Sequence, residues 1–457
     1  MDDTICLVSI AELGLLRLIY NFVQFVTHTN QQTLQEVFYN CYLWCMRVII
    51  WYFFLGLGFF SACIPERELG IEIDVQSLNI TTNNSLAPNL FRSPSDLLYM
   101  TWIEIVNDSS YSLQYATFGE EGWSKPNEII SATNWFVNWA DIPALVTYDD
   151  KHIAAHWLQM SGDGTYDYSV QVTLSKDGGQ NWSNPIIPHQ QEIPAEHGFV
   201  SMAPLDDRHF QIVWLDGRNT KIGTGESDGH DHGGGQMTLR SAVLDYEGNI
   251  TEEHEIDGRV CDCCQTDLII DGNIPIVIYR DRSPSEVRDI SISRYYDDKW
   301  TEPVKVHNDE WTINGCPVNG PAIALNNEEI GVAWYTASEQ APKILIASSI
   351  DGGKNFSEPV QIDQENPVGR VDLIHWNDGF MASWVESKND ESFLMMSYYQ
   401  DGIVTQTYEI MPLNASRRGG FPIIEPVEDG IIVAWTEVGK SKTSVQSQKI
   451  VFEGVEK

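Results

Sequence analysis

The sequence is poor in positive charge: Lys and Arg number 28 against 65 Asp and Glu, a formal net charge of −37. Such a surface repels phosphate backbones, which argues against a nucleic-acid partner. It also repels anionic sugars and lipids at long range, so an anionic ligand requires a local cationic pocket. Apolar runs are short, and the one from Val48 to Phe60 falls short of a comfortable membrane span. Cysteine is sparse and unevenly placed. Cys6, Cys41 and Cys45 lie in an N-terminal stretch, Cys63 stands alone, and Cys261, Cys263, Cys264 and Cys316 lie in the body. What the chain does have is 42% hydrophobic residues over 457 positions, enough for one large core or two to three ordinary ones. Its 15 Trp and 18 Tyr, set in short alternating runs, indicate β structure.

Residues 46–63 read as a signal peptide, with Arg47 as the positive flank and Val48 to Phe60 as the apolar region. Phe60-Ser61-Ala62-Cys63 resembles a bacterial lipobox, which implies acylation of Cys63 and a lipid-anchored protein at the outer membrane, cell surface or periplasm. The alternative is an uncleaved anchor, and on both readings the body is exported. Residues 1–45 fit neither the signal nor the body and read as an extension upstream of a true start at Met46. A membrane-associated helix from about Ile5 to Val26 is the other reading.

A repeat fills residues 69–457. An aliphatic run ending in an aromatic recurs at Trp102, Trp157, Trp214, Tyr279, Trp334, Trp384 and Trp435, at intervals by subtraction of 55, 57, 65, 55, 50 and 51. Each copy is preceded by an apolar strand and followed by an alternating strand and a short last one, with Gly, Asp or Asn turns. A four-stranded unit cannot bury both faces alone, so the units pack side by side into a closed ring. The fold class is therefore all-β, a β-propeller. Seven units are counted, the last showing three strands that a strand from about Ile71 to Leu78 completes.

Ser175-Lys-Asp177-Gly-Gly179-Gln-Asn-Trp182 and Ser349-Ile-Asp351-Gly-Gly353-Lys-Asn-Phe356 fit the S-x-D-x-G-x-x-[WF] pattern of the Asp-box, with degenerate relatives ending at Trp123 and Trp300. Its role is structural: the Asp accepts turn amides, the glycines take unusual dihedrals and the aromatic packs beneath. On these motifs the body resembles the sialidase (neuraminidase) superfamily of BNR-repeat propellers, and exported sialidase-like lipoproteins carrying CDCCQT and CPVNGP segments. The resemblance implies six blades, a three-arginine clamp for a sugar carboxylate, a Tyr nucleophile paired with Glu, and an Asp acid. It also implies exo-sialidase-like hydrolysis of an acidic glycan. The family's first-blade arginine has no counterpart here, since Ala87-Pro88 stands in that strand.

Loops entering each innermost strand and leaving each second strand converge on one face. On it the clamp candidates are Arg218, Arg280, Arg282, Arg370 and Arg418, and the catalytic candidates are Asp141, Glu196, Tyr279 and Glu286. A concentration of arginine in so acidic a chain points to an acidic ligand, with no cofactor required. Cys261, Cys263, Cys264 and Cys316, joined by His197, form an alternative site for zinc or copper. In an exported protein the competing reading of the four cysteines is two disulfides. Trp135, Trp139 and Trp311 suit a third function, non-catalytic glycan binding by stacking.

Overall fold

The computed structural model describes residues 72–78, 80, 84–189, 193–221, 235–251 and 253–453. The expected extension, signal peptide and acylated Cys63 lie outside the described residues. The body forms seven antiparallel sheets, so the count from the repeat holds and the six blades implied by the resemblance do not.

Blade 1 opens with Ser85–Arg92, blade 2 with Leu145–Thr147, blade 3 with His197–Pro204 and blade 4 with Asp267–Asp271. Blades 5, 6 and 7 open with Ala322–Asn326, Asn366–Trp376 and Ile423–Val427. These first strands lie innermost and surround the axis. Blade 2 has three full strands and a fourth edge reduced to a bridge between Val172 and Ile186. Blade 7 is completed by the N-terminal strand Glu72–Leu78, which pairs antiparallel with Thr443–Glu453 in the register Glu72–Glu453 to Leu78–Ser447. The ring is thus closed by the two ends of the propeller, as the missing fourth strand required.

The hydrophobic core is divided into seven wedges, one between each pair of neighbouring blades. The seven repeat aromatics are buried in them, with Trp102, Trp214, Trp334 and Trp384 at 0% exposure. Burying an aromatic of that size is the largest single apolar gain a blade can contribute. Its recurrence in sequence is the recurrence of a packing requirement.

The two Asp-box turns are built alike. In the first, Ser175 Oγ donates to Asp177 Oδ1 at 2.9 Å, while Asn181 N donates to Asp177 Oδ1 at 2.9 Å. In the second, Ser349 Oγ and Asn355 N reach Asp351 Oδ1 at the same distances. The paired glycines have φ between 72° and 83°, a region that disfavours a side chain. A third copy hides at Asp245, which accepts from Asn249 N at 2.8 Å and Asn249 Nδ2 at 2.7 Å. The aromatics reach the preceding blade: Trp123 Nε1 donates to Ser447 Oγ and Trp300 Nε1 to Ser241 Oγ, both at 2.8 Å.

Closure gives a testable consequence. Strand Glu72–Leu78 seats Ile73 and Leu78 against wedges of blade 7. Losing two half-buried side chains and one strand ladder costs about 3 kcal/mol. Deleting 72–78 is expected to lower the thermal midpoint by about 4 °C, measured by calorimetry.

Candidate functional site

Side chains near the axis tie five of the seven blades to the next one. Asp141, in the loop entering blade 2, accepts from Phe199 N of blade 3 at 2.8 Å through Oδ2. Asp267 of blade 4 accepts from Ile323 N of blade 5 at 2.9 Å, and Asp372 of blade 6 from Ile424 N of blade 7 at 2.7 Å. Ala87 N donates to Thr436 Oγ1, and Arg370 N to Asn319 Oδ1, again across blade boundaries. Ala87, Phe199 and Arg370 have φ of 56°, 51° and 58°, each at a register shift in its strand. The bulge turns one N–H out of the ladder and toward the neighbouring blade. Gly198 is required beside Phe199, because a β-carbon there would collide with Asp141 Oδ2 and the Tyr168 ring.

These strands enclose an axial cavity of about 320 Å³ whose lining includes Asp141, Asp267, Asp372 and Glu425 and no Lys, Arg or His. Burial raises all four carboxyls: Asp141 and Asp372 to about 7, Asp267 to about 6 and Glu425 to about 8. Asp141 Oδ1 has no hydrogen-bond partner, and the residue is 5% exposed.

Four of the five arginines expected to clamp a carboxylate are engaged elsewhere. Arg280 is 1% exposed and donates to the carbonyls of Asn319, Arg288 and Tyr335, with its guanidinium 4.9 Å from the Trp311 ring centroid. Arg218 pairs with Asp216 at 2.6 Å and Glu253 at 3.0 Å. Arg282 pairs with Glu286 at 3.0 Å and stands 3.7 Å from Asp262. Arg370 donates to the carbonyls of Ala415 and Ser416 and lies over the Trp139 ring, and burial lowers its guanidinium to about 10. Arg418 is exposed. The other four side chains brace loops, and the expected clamp is not assembled among the described residues.

The catalytic candidates divide. Tyr279 is the blade 4 member of the repeat aromatics, 1% exposed, with its hydroxyl donating to Asp257 at 2.7 Å. The wedge packing therefore claims it. Glu286 is an ion-pair hub for Arg259, Arg282 and Arg288. Glu196 does have a Tyr partner, but it is Tyr168, whose hydroxyl donates to Glu196 Oε1 at 2.9 Å close to Asp141. Sequence reasoning missed Tyr168 because it opens a buried strand and belongs to no motif.

The cysteines converge. Cys261 Sγ lies 3.5 Å from Cys264 Sγ and 3.9 Å from Cys263 Sγ. The three sulfurs lie within 4.8 Å of one another, and Cys263 Sγ, Cys316 Sγ and an Asp262 oxygen form a second such group. All four stand as free thiols, with no sulfur–sulfur bond among them. The i, i+3 pair Cys261–Cys264 is the tighter one, a C-x-x-C spacing hidden by the intervening Cys263. His197 is absent from both groups. Its Nδ1 contacts the carbonyls of Tyr168 and Ala195, its Nε2 faces Asp216 at 3.5 Å, and its ring stacks on His189.

A turn over residues 261–264 folds the thiols together. Cys261 N donates to the Arg280 carbonyl at 3.0 Å, and Gly320 N to Gln265 Oε1 at 3.1 Å. Arg280, through Asn319, holds the Cys316-bearing loop against the same blade. Arg288 Nη1 reaches Cys261 Sγ at 3.2 Å and Asp262 Oδ1 at 3.4 Å. Burial opposes ionisation of Cys261, but hydrogen bonds from the neighbouring thiols and the Arg288 charge hold it well below the ordinary thiol value. Cys264 is pushed upward, chiefly by burial. Cys261, Cys263 and Cys264 are largely enclosed, whereas Cys316 is exposed.

No family model and no curated protein matches this chain. Among solved structures, a protein of unknown function from Dyadobacter fermentans is 12% identical, covers 83% of this chain and 99% of its own, and has a TM-score of 0.49. An α-L-arabinanase from Penicillium chrysogenum, complexed with arabinobiose, is 10% identical over 83% and 98% of the two chains, with a TM-score of 0.45. The Hadza microbial sialidase Hz136 is 13% identical over 75% and 73%, with a TM-score of 0.43. At these identities and scores no activity passes from them to this chain.

The axial carboxyls set a pH dependence. Acids whose folded values lie above the unfolded ones bind extra protons in the native state, so their contribution is complete below about pH 4 and is lost as pH rises through about 6–8. Thermal midpoints in chelator-treated, metal-free protein are expected to fall from about pH 5 to about pH 8.5. Asp141→Asn, which cannot ionise, should flatten that slope in pH-resolved melting curves.

Proposed function

We propose that the functional centre is the four-cysteine pocket and that it holds one soft metal ion, zinc or copper(I), in an exported protein anchored through Cys63. The observation that carries this is the sulfur geometry. A tetrahedral zinc–thiolate site with bonds of about 2.3 Å has sulfur–sulfur edges of about 3.8 Å. The distances of 3.5 and 3.9 Å around Cys261 bracket that edge without any bond between sulfurs. Arg288 offsets part of the thiolate charge, and Asp262 orients Arg288 in turn. The exposed Cys316 leaves the metal approachable from one side, which suits a site that accepts and gives up its ion or presents it to a ligand. Bound metal would act as a Lewis acid or be the cargo itself.

The test is titration of reduced protein with Zn2+ and with Cu+ under exclusion of oxygen, read by thiol reactivity and metal analysis. One ion per chain is expected to protect the four thiols. Cys261→Ser and Cys264→Ser should weaken binding at least about 100-fold, and Cys316→Ser about 10-fold, following the usual loss for a ligand or its support. A protein that binds neither metal and instead oxidises readily to two disulfides overturns the proposal.

A second reading, a sialidase-like glycosidase, is favoured by the Tyr168–Glu196 hydrogen bond beside Asp141, a Tyr–Glu–Asp set of the kind that chemistry uses. Against it stand the complete burial of Tyr168 and the engaged arginines. Release of sialic acid from a mixed sialylated glycan pool, lost in Glu196→Gln, would select this reading. No release from folded protein leaves the metal centre.

A further inference from the structure

We propose that the axial well of the propeller binds a hard divalent cation, Ca2+ or Mg2+, at Asp141, with Asp267, Asp372 and Glu425 supplying the surrounding negative potential. This site is separate from the thiol pocket in donor chemistry and does not rest on the metal–thiolate reading.

Four carboxyl groups line one cavity of about 320 Å³, and no cationic side chain lines it with them. The nearest compensating charge is Arg92, whose Nε stands 3.9 Å from Glu425 and whose guanidinium also pairs with Asp96. Asp267 accepts from Leu268 N and Ile323 N, and Asp372 from Leu373 N and Ile424 N, so each has both oxygens occupied. Asp141 is different. Its Oδ2 takes the Phe199 N–H, while Oδ1 has no partner in a cavity-lining residue that is 5% exposed. A buried carboxylate oxygen without a donor is an unfavourable arrangement that a bound cation relieves.

The donor set selects the ion. Carboxylate and carbonyl oxygens suit hard cations, and soft ones prefer the thiols on the same face. Among the described residues, no three carboxylates bring oxygens within 4.8 Å of one another in the well. A fully dehydrated ion is therefore not caged. An ion retaining part of its water shell fits, bound directly at Asp141 and through water to the other walls. At this position it would also neutralise charge at the point where blades 2 and 3 are clamped together.

The experiment is thermal melting and calorimetric titration of chelator-treated full-length protein at about pH 8, above the values of Asp141, Asp267 and Asp372. Millimolar Ca2+ or Mg2+ is the probe, and NaCl of matched ionic strength the control. Wild type is expected to gain several degrees with the divalent ion and little with NaCl. Asp141→Asn keeps an oxygen for Phe199 N and should bind at least tenfold more weakly, while Cys261→Ser should respond as wild type. Equal stabilisation by NaCl would reduce the effect to screening of the net charge and overturn the proposal. So would wild-type affinity in Asp141→Asn, or no divalent response at all. If Asp141→Asn does not fold, the wild-type contrast between divalent ion and NaCl still decides.

Discussion

The structure depends on one recurring contact: at five of the seven blade junctions a side chain near the axis accepts from a backbone N–H of the next blade. A propeller has no continuous hydrogen-bond ladder around its axis, because each sheet runs radially and ends there. Innermost N–H groups would be left facing a narrow channel, where an unpaired donor is costly. Asp141, Asp267 and Asp372 answer this at the junctions of blades 2 and 3, 4 and 5, and 6 and 7. Thr436 and Asn319 do so at the junctions entering blades 1 and 6. Other features follow from that choice. Left-handed residues at Ala87, Phe199 and Arg370 aim the N–H groups, and an acidic channel is the by-product of using carboxylates as the acceptors.

The arginines near the mouth are held by backbone carbonyls and by carboxylates outside the axial lining. Arg280 joins blade 4 to the loop carrying Cys316 and Asn319, and Arg370 fastens the 415–416 turn while covering Trp139. Each guanidinium is a multi-toothed brace for carbonyls, a use that its planar array of donors permits as readily as carboxylate binding. Their clustering in sequence reflects the number of loops to be held on one face.

Holding those loops is what assembles the thiols. Cys261, Cys263 and Cys264 come from the loop entering blade 4 and Cys316 from the loop entering blade 5, and the Arg280 and Gln265 bonds fix one against the other. Arg288 arrives from the loop leaving the second strand of blade 4. The pocket thus draws on three loops whose positions are set by the blades beneath them, which is how propellers present chemistry on rigid scaffolds.

By itself the sequence determined the ring. The interval between Trp102, Trp157, Trp214, Tyr279, Trp334, Trp384 and Trp435 is the interval between wedges, and a wedge needs one large aromatic. The Asp-box turns and the missing strand of blade 7 were equally legible, because local hydrogen bonding and strand count are written in short segments. The site was not. Tyr279 has the residue type of a nucleophile yet serves as a wedge aromatic, and Tyr168 pairs with Glu196 from a strand without any motif. Residue type says what a side chain can donate or accept. Only the tertiary structure decides which acceptor lies within 3 Å or so of it, and in a closed ring that acceptor can come from a neighbouring blade.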